Sequence, residues 1–224
     1  MKKAGGREAI LTSALKLFAE RDLDAVRTAE ILASAGQKNQ GALQYHFGSR
    51  EGLYLAILYR HLEGIDARRM EIINPRGLTD PKPSFATCVR GVIEPLIDEA
   101  ETGEWGDAYL RFLRQIVARN SFNIVEITPG LQLPGMKMMI QCSLRYLTDL
   151  PPDRQSLALN MMLQVSVTML TTWRLLSPGA FERDEFVNAA IATCKAMYKS
   201  MIVPETLAPR GRSTTGAGMK RELA

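Results

Sequence analysis

The sequence predicts an all-α protein, and three observations support this fold class. Apolar residues recur three and four positions apart through most of the chain, which is the pattern of helices buried along one face. Strict alternation of apolar and polar residues, which marks a half-buried strand, is scarce, and aromatic residues make up only 7% of the chain. Glycines and prolines stand between the helical stretches, where they end helices.

The composition is that of a folded globular protein. The chain has 224 residues, of which 46% are hydrophobic and 23% are charged, so it can bury a core without disulfides or metal. It contains no apolar run of about eighteen residues and no apolar signal core, so we expect a cytoplasmic protein without a membrane span. Its cysteines, Cys88, Cys142 and Cys194, have no zinc-finger spacing and are expected to be buried, reduced thiols.

Three short helices are predicted near the N-terminus. The first spans 7–21, the second spans 28–35 and ends at Gly36, and the third spans 41–47 after a polar stretch in which Asn39 is the expected N-cap. Two short helices joined by a glycine-containing turn are typical of a helix-turn-helix unit.

A longer helix is predicted from its cap, Ser49, to Ile73. The segment 74–84 follows it and contains three prolines and a glycine, so it cannot stay helical. We interpret this segment as the connection between an N-terminal unit and the rest of the chain.

Five further helices are predicted after the proline-rich segment, at 85–101, 105–120, 136–148, 153–176 and 184–203. The fourth of them is apolar on two sides, so neighbours must cover it on two sides. The last one presents a row of small residues that allows another helix to approach closely.

The predicted helices and the charge distribution divide the chain into four parts. These are a helix-turn-helix domain at 1–50, a connecting helix at 51–74, a helical body at 75–204 and a flexible basic tail at 205–224. Residues 1–50 hold 8 Lys and Arg against 5 Asp and Glu, the tail holds 4 against 2, and the residues between them hold 16 against 17. Such an asymmetry is expected of a small polyanion-binding unit carried by a larger domain.

The segment from Arg7 to Ile57 resembles the DNA-binding domain of the tetracycline-repressor (TetR) family of bacterial regulators. The resemblance rests on Arg7-Glu8-Ala9-Ile10-Leu11, Leu17-Phe18-Ala19-Glu20, Ile31 before Ala35-Gly36, Gly41-Ala42-Leu43, His46-Phe47 and Ser49-Arg50-Glu51-Gly52-Leu53. It implies an N-terminal three-helix, helix-turn-helix DNA-binding domain followed by a helical ligand-binding and dimerisation domain. The stretch from Gly36 to Phe47 is one residue longer than the common form, and Gln44 stands where the family usually has a tyrosine.

Eight polar residues around the short helices are candidate DNA contacts, because a recognition helix presents its N-terminal and outward side chains to the major groove. They are Arg27, Thr28, Lys38, Asn39, Gln40, Gln44, Tyr45 and Arg50. Two alternatives stay open near the second helix, where either Thr28 caps the helix or Arg27 meets a phosphate. Likewise, Tyr45 either gives its hydroxyl to a phosphate or packs its ring in the core.

The body is rich in methionine and contains both tryptophans, a composition that suits a pocket for a small hydrophobic effector. The candidate pocket residues are Trp105, Tyr109, Phe112, Met139, Met162, Met169 and Trp173. The last two helices are expected to form a homodimer by packing as a four-helix bundle. The candidate interface residues are Leu159, Leu163, Val167, Ala189, Ala192 and Ala196.

The sequence therefore predicts a ligand-responsive DNA-binding transcriptional regulator, a repressor that a small hydrophobic effector releases from a palindromic double-stranded operator. The alternative is a helical small-molecule-binding or scaffold protein whose N-terminal unit contacts protein rather than DNA. No nucleophile elbow, zinc-protease, P-loop or dinucleotide motif is present, and neither histidine has a metal ligand at the required spacing. We therefore expect no enzyme, no catalytic residue, no metal and no cofactor.

Overall fold

The computed structural model describes residues 5–103, 105–119, 132–176 and 179–201, and within these ranges the protein is all-α without a strand. The all-α prediction is therefore confirmed. The helices of the described ranges are α1 (Gly6–Glu20), α2 (Thr28–Ser34), α3 (Ala42–Phe47), α4 (Arg50–Ile73), α5 (Phe85–Thr102), α6 (Gly106–Val117), α7 (Pro134–Leu144), α8 (Pro152–Leu176) and α9 (Arg183–Met201). A short 3₁₀ turn, Leu23–Ala25, lies between α1 and α2.

The start of α3 differs from the prediction. Its N-cap is Gly41, whereas the sequence predicts Asn39 in that role. The Asn39 side chain instead accepts a hydrogen bond from the Gly41 amide at 2.9 Å, and the Asn39 carbonyl accepts one from the Ala42 amide at 3.1 Å. Asparagine thus closes a turn on its own backbone, a conformation that competes with helix capping.

Two helices of the body also differ in length from the prediction. α6 ends at Val117, and the expected end at residue 120 lies outside the described residues. α7 begins at Pro134, two residues earlier than predicted, because proline suits the first position of a helix. It ends at Leu144, where a turn replaces the predicted last helical residues. The predicted end of α9 at residue 203 and the tail 205–224 also lie outside the described residues.

Glycine and serine fix the ends of the helices in the N-terminal unit. Gly36 and Gly48 follow α2 and α3 with φ of 66° and 73°, a region that residues with a Cβ rarely adopt. The Ser49 hydroxyl caps α4 by accepting from the Gly52 amide at 3.0 Å, as predicted. A Cβ at Gly52 would lie 1.9 Å from the Phe47 carbonyl oxygen, so α3 and α4 meet closely here.

The core runs without a break from the N-terminal unit into the body. α1 packs against α6, α4 packs against α5 and α7, and α5 also contacts α8 and α9. Cys88, Cys142 and Cys194 are buried free thiols, as the sequence predicts. None of the described helices combines the length and the apolar character that crossing a membrane requires.

A buried carboxylate joins α4 to α7. Asp66 accepts hydrogen bonds from the Gly135 amide at 2.8 Å, from the Met136 amide at 2.7 Å and from Arg69 Nη1 at 3.0 Å. It thereby satisfies amides at the start of α7, which have no partner within their own helix. A Cβ at Gly135 would lie 2.6 Å from the Asp66 carbonyl oxygen.

Replacement by alanine should have opposite effects at two helical glycines, because only Gly135 lies close to another backbone. Gly135→Ala should lower the free energy of unfolding by about 1–3 kcal/mol, because the new methyl group meets backbone. Gly64→Ala on α4 should raise it by about 0.5–1 kcal/mol, since Gly64 is exposed and no atom lies within 4 Å of the position that a Cβ would take there. Urea unfolding of both variants measures the difference, and equal stability of the two would contradict the α4–α7 contact.

Candidate nucleic-acid interface

Helix α3 has one face in the core and one face in solvent. Ala42 and Leu43 are each 6% exposed and hold the helix on the N-terminal unit. Gln44 is exposed, and Tyr45 is 84% exposed, so the Tyr45 ring does not pack in the core. The amide and the phenol therefore project from the protein on the same short helix.

The loop before α3 extends this polar surface. Lys38, Asn39 and Gln40 are all exposed. The sequence from Ala35 to Arg50 contains no Asp or Glu. A polyanion can therefore approach the loop and α3 without meeting a carboxylate on either of them.

The start of α2 carries two further candidate DNA contacts. The helix begins at Thr28, and Arg27 is its N-cap without a side-chain capping bond. Thr28 therefore does not cap a shifted helix start. Arg27 is exposed and Thr28 is half-buried, so the arginine is the more accessible of the two.

Arg50, a candidate DNA contact, is used largely within the protein. Its Nε donates to the Tyr54 hydroxyl at 2.7 Å, and its Nη2 donates to the carbonyl of Val26 at 2.7 Å and to that of Leu23. The guanidinium also lies 5.4 Å from the centre of the Phe18 ring. Arg50 thus ties the start of α4 to the turn between α1 and α2, which positions the helix-turn-helix.

The body contacts the same turn through α6. Gln115 Oε1 accepts from the Leu23 amide at 2.8 Å, and Gln115 Nε2 donates to the Phe18 carbonyl at 2.6 Å. Arg119 bonds Asp24 at 2.8 Å, and this hydrogen bond lowers the pKa of Asp24 below its ordinary value. A side chain of the body therefore satisfies backbone groups at the end of α1.

Sequence reasoning missed these positioning roles and one further cation near α3. Arg7 lies over the Phe47 ring, 5.3 Å from its centre, and adds positive charge at the end of α3. The backbone partners of Arg50 are 24 and 27 residues away, and two backbone partners of Gln115 are 92 and 97 residues away. No local pattern in the sequence signals pairs at such separations.

Residues 10–57 match the family described as bacterial regulatory proteins, tetR family. The match spans most of α1, all of α2 and α3, and the start of α4, which are the elements that build and position the polar surface. The predicted resemblance of this segment to the TetR family is therefore confirmed.

Two comparisons extend beyond this segment. The HTH-type transcriptional repressor AcnR of Corynebacterium glutamicum is 30% identical over 116 residues, which are 51% of this chain and 53% of AcnR. The chain thus spans about half the length of the curated relative that it matches. NalD, the secondary repressor of the MexAB-OprM multidrug efflux pump in Pseudomonas aeruginosa, aligns with a TM-score of 0.53 at 16% identity, covering 87% of this chain and 97% of NalD. The likeness to NalD is a likeness of fold alone.

The structure distributes the candidate effector residues of the body over several places. Tyr109 and Phe112 are fully buried on α6, and Trp105 lies at its start beneath Lys16 of α1. Met139 and Met162 line a small enclosed cavity between α4, α5, α7 and α8. Met169 and Trp173 instead line a surface groove of about 330 Å³ between α8 and α9. The seven residues therefore do not form one pocket.

The candidate dimer residues of α8 and α9 also separate by burial. Leu159 and Val167 are 2% and 0% exposed within the protomer, so they have no surface left for a partner. Leu163 and Ala189 are half-buried, while Ala192 and Ala196 are exposed. Burial of Leu159 and Val167 follows from the two-sided apolar pattern of α8, one side of which meets the protomer's own core.

The position of Arg50 predicts a loss of stability when its side chain is removed. Arg50→Ala should lower the free energy of unfolding by about 1–3 kcal/mol, because the carbonyls of Leu23 and Val26 lose a charged donor. Lys38→Ala removes an exposed cation and should leave stability unchanged. Urea unfolding checks both variants, and an unaltered midpoint for Arg50→Ala would refute the positioning role.

Proposed function

We propose that the protein is a DNA-binding transcriptional repressor that a small effector releases from a palindromic operator. The observation that supports this most strongly is the exposed polar surface of Lys38–Tyr45, which is free of carboxylates and rests on a helix held by buried contacts. The match of residues 10–57 to the tetR family supports the same function, and AcnR, a curated relative, is itself named a transcriptional repressor.

The polar surface offers both kinds of contact that DNA recognition uses. Gln44 and Asn39 carry amides, which can bond base edges in the major groove. Lys38, Arg27 and Arg7 carry charges, which contact phosphates and set the position of the protein on the duplex. The Tyr45 hydroxyl, carried clear of the surface, is suited to a phosphate oxygen. Arg50 contributes by holding the α1–α2 turn, and any phosphate contact it makes is secondary.

A homodimer would present two such surfaces related by a two-fold axis, so the operator should be a palindrome. The exposed small residues Ala192 and Ala196 of α9 support an interface on this face, since they permit close helix packing. Ala189 lies about one helical turn before Ala192 on α9, so the groove that it lines adjoins the same face of this helix.

An effector that binds the body can release DNA only if a change in the body alters the position of the N-terminal unit. The hydrogen bonds of Gln115 and Arg119 to the α1–α2 turn supply a direct contact for this purpose. An effector lowers DNA affinity only if it binds more tightly to a conformer in which the two α3 helices are wrongly placed.

DNA binding is tested with purified protein and duplex DNA over a range of salt concentrations. Binding should weaken steeply with salt. Lys38→Ala should weaken binding to all sequences and reduce the salt slope by about 1, while Gln44→Ala should cost about 1–3 kcal/mol and relax the choice of one base pair. Lys82→Ala and Gln141→Ala alter exposed residues elsewhere and serve as matched controls. No retention of DNA at low salt would instead favour the scaffold protein that contacts another protein.

Assembly is tested by sedimentation at micromolar protein. The wild-type chain should be a dimer, and Ala192→Glu or Ala196→Glu should dissociate it by burying a charge at a close helix contact. Ala67→Glu places the same charge on an exposed position of α4 and should leave the dimer intact. A monomeric wild-type protein would refute the proposed interface.

A further inference from the structure

Helix α2 carries the single carboxylate of the helix-turn-helix. Glu30 is the only Asp or Glu in the sequence of residues 27–50. It lies in the first turn of α2, three residues after Arg27, which is a candidate DNA contact. In a helix-turn-helix, the first helix crosses the DNA backbone while the second enters the major groove. On the proposed function, Glu30 therefore lies on the element that meets phosphates, where a negative charge opposes binding.

The Glu30 carboxylate has a cationic partner outside the helix-turn-helix. Its Oε2 accepts a hydrogen bond from Nη2 of Arg21, the residue that follows α1. This hydrogen bond lowers the pKa of Glu30 below its ordinary value, and the backbone and side chain of Arg27 act in the same direction. Glu30 is therefore ionised at neutral pH, and Arg21 places an opposite charge in direct contact with it.

The pair of Arg21 and Glu30 lies at the surface, where its two side chains are 42% and 40% exposed. An exposed ion pair contributes little to folding, because water and salt screen the charges and two long side chains must be held in one geometry. Its effect on a nearby polyanion is larger. An unpaired carboxylate repels phosphates over about 10 Å in roughly 0.1 M salt, whereas an ion pair has no net charge. The pair therefore matters more for the charge that DNA meets than for stability.

Arg27 would be affected as well if Arg21 were absent. Glu30 and Arg27 are three residues apart and already interact electrostatically. A Glu30 carboxylate without Arg21 would be free to pair with Arg27, since oppositely charged side chains three residues apart are neighbours on a helix surface. Such a pair would take from Arg27 the charge that is suited to a phosphate.

We propose that Arg21 is a positioning residue for DNA binding: by pairing with Glu30, it cancels the one negative charge of the helix-turn-helix and leaves Arg27 free for a phosphate. The inference rests on the proposed function, because it requires that α2 meets the DNA backbone. Arg21 acts on DNA through Glu30 and not through a contact of its own. Arg21 should therefore become dispensable once the charge of Glu30 is removed.

A double-mutant cycle on the full chain tests this dependence. The wild type, Arg21→Ala, Glu30→Gln and the double variant are titrated onto a labelled duplex of random sequence. Arg21→Ala should weaken binding about three- to tenfold at low salt, and the deficit should shrink as added salt screens the repulsion. Glu30→Gln keeps the shape and an acceptor oxygen without the charge, so it should bind no more weakly than the wild type. The double variant should return to within about twofold of the wild type.

Three results would overturn the proposal. A double variant as weak as Arg21→Ala would mean that Arg21 contacts a phosphate itself or holds α2 in place. Unaltered binding by Arg21→Ala, or weaker binding by Glu30→Gln alone, would show that the carboxylate does not oppose DNA binding. Arg21→Lys keeps the positive charge and should bind like the wild type. The midpoints of urea unfolding should stay close to that of the wild type in all variants, because the pair is exposed.

Arg145→Ala is the matched control, because Arg145 also pairs with an exposed carboxylate, that of Asp80. Arg145 follows α7 in the body, so the same change of net charge is made outside the helix-turn-helix. This variant should bind DNA like the wild type, and a loss equal to that of Arg21→Ala would overturn the proposal. Failure of the wild type to retain DNA refutes the proposed function and this inference with it. Retention of DNA without rescue in the double variant refutes this inference alone.

Discussion

The placement of the polar surface depends on hydrogen bonds to the backbone of the short turn between α1 and α2. Arg50 reaches this turn from α4, and Gln115 reaches it from α6. Helix α2 is only seven residues long and has no side-chain cap, so it cannot maintain its own direction. The turn fixes where α2 begins, and α2 and α4 together support α3. The orientation of the polar surface is thus imposed by residues that lie far apart in sequence.

The elements that the sequence predicts well are those that depend on local chemistry. Gly36 and the Ser49 cap mark helix ends through their own backbone and side-chain properties, and the structure has both where expected. The prediction of Asn39 as a cap is wrong because asparagine has two local options, capping a helix and closing a turn, and the sequence alone does not rank them. The role of Asp66 at the start of α7 escapes prediction, because the amides that it satisfies are about seventy residues away.

The candidate sites, too, are predictable from the sequence only where they depend on local chemistry. The exposed residues of α3 and its loop follow from a short local pattern, so sequence reasoning can find them as a group. The effector residues follow from residue type alone, and methionine and tryptophan are as common in a plain core as in a pocket. Their separation into core positions, a small cavity and a surface groove depends on how the helices pack together. Such features exist only after the chain has folded.

The tight junction between α3 and α4 at Gly52 has a mechanical consequence. Because the Phe47 carbonyl lies so close to Gly52, α3 and α4 have no room to slide past each other and must move as one rigid body. A helix of 24 residues is about 36 Å long, so α4 is a long lever with α3 fixed at its tip. Tilting this lever by only about 5° around its far end displaces the tip by about 3 Å, close to the ~3.4 Å rise of one base pair. On the proposed function, a rearrangement in the body too small to disturb its packing would therefore be large enough to put α3 out of register with the major groove of DNA.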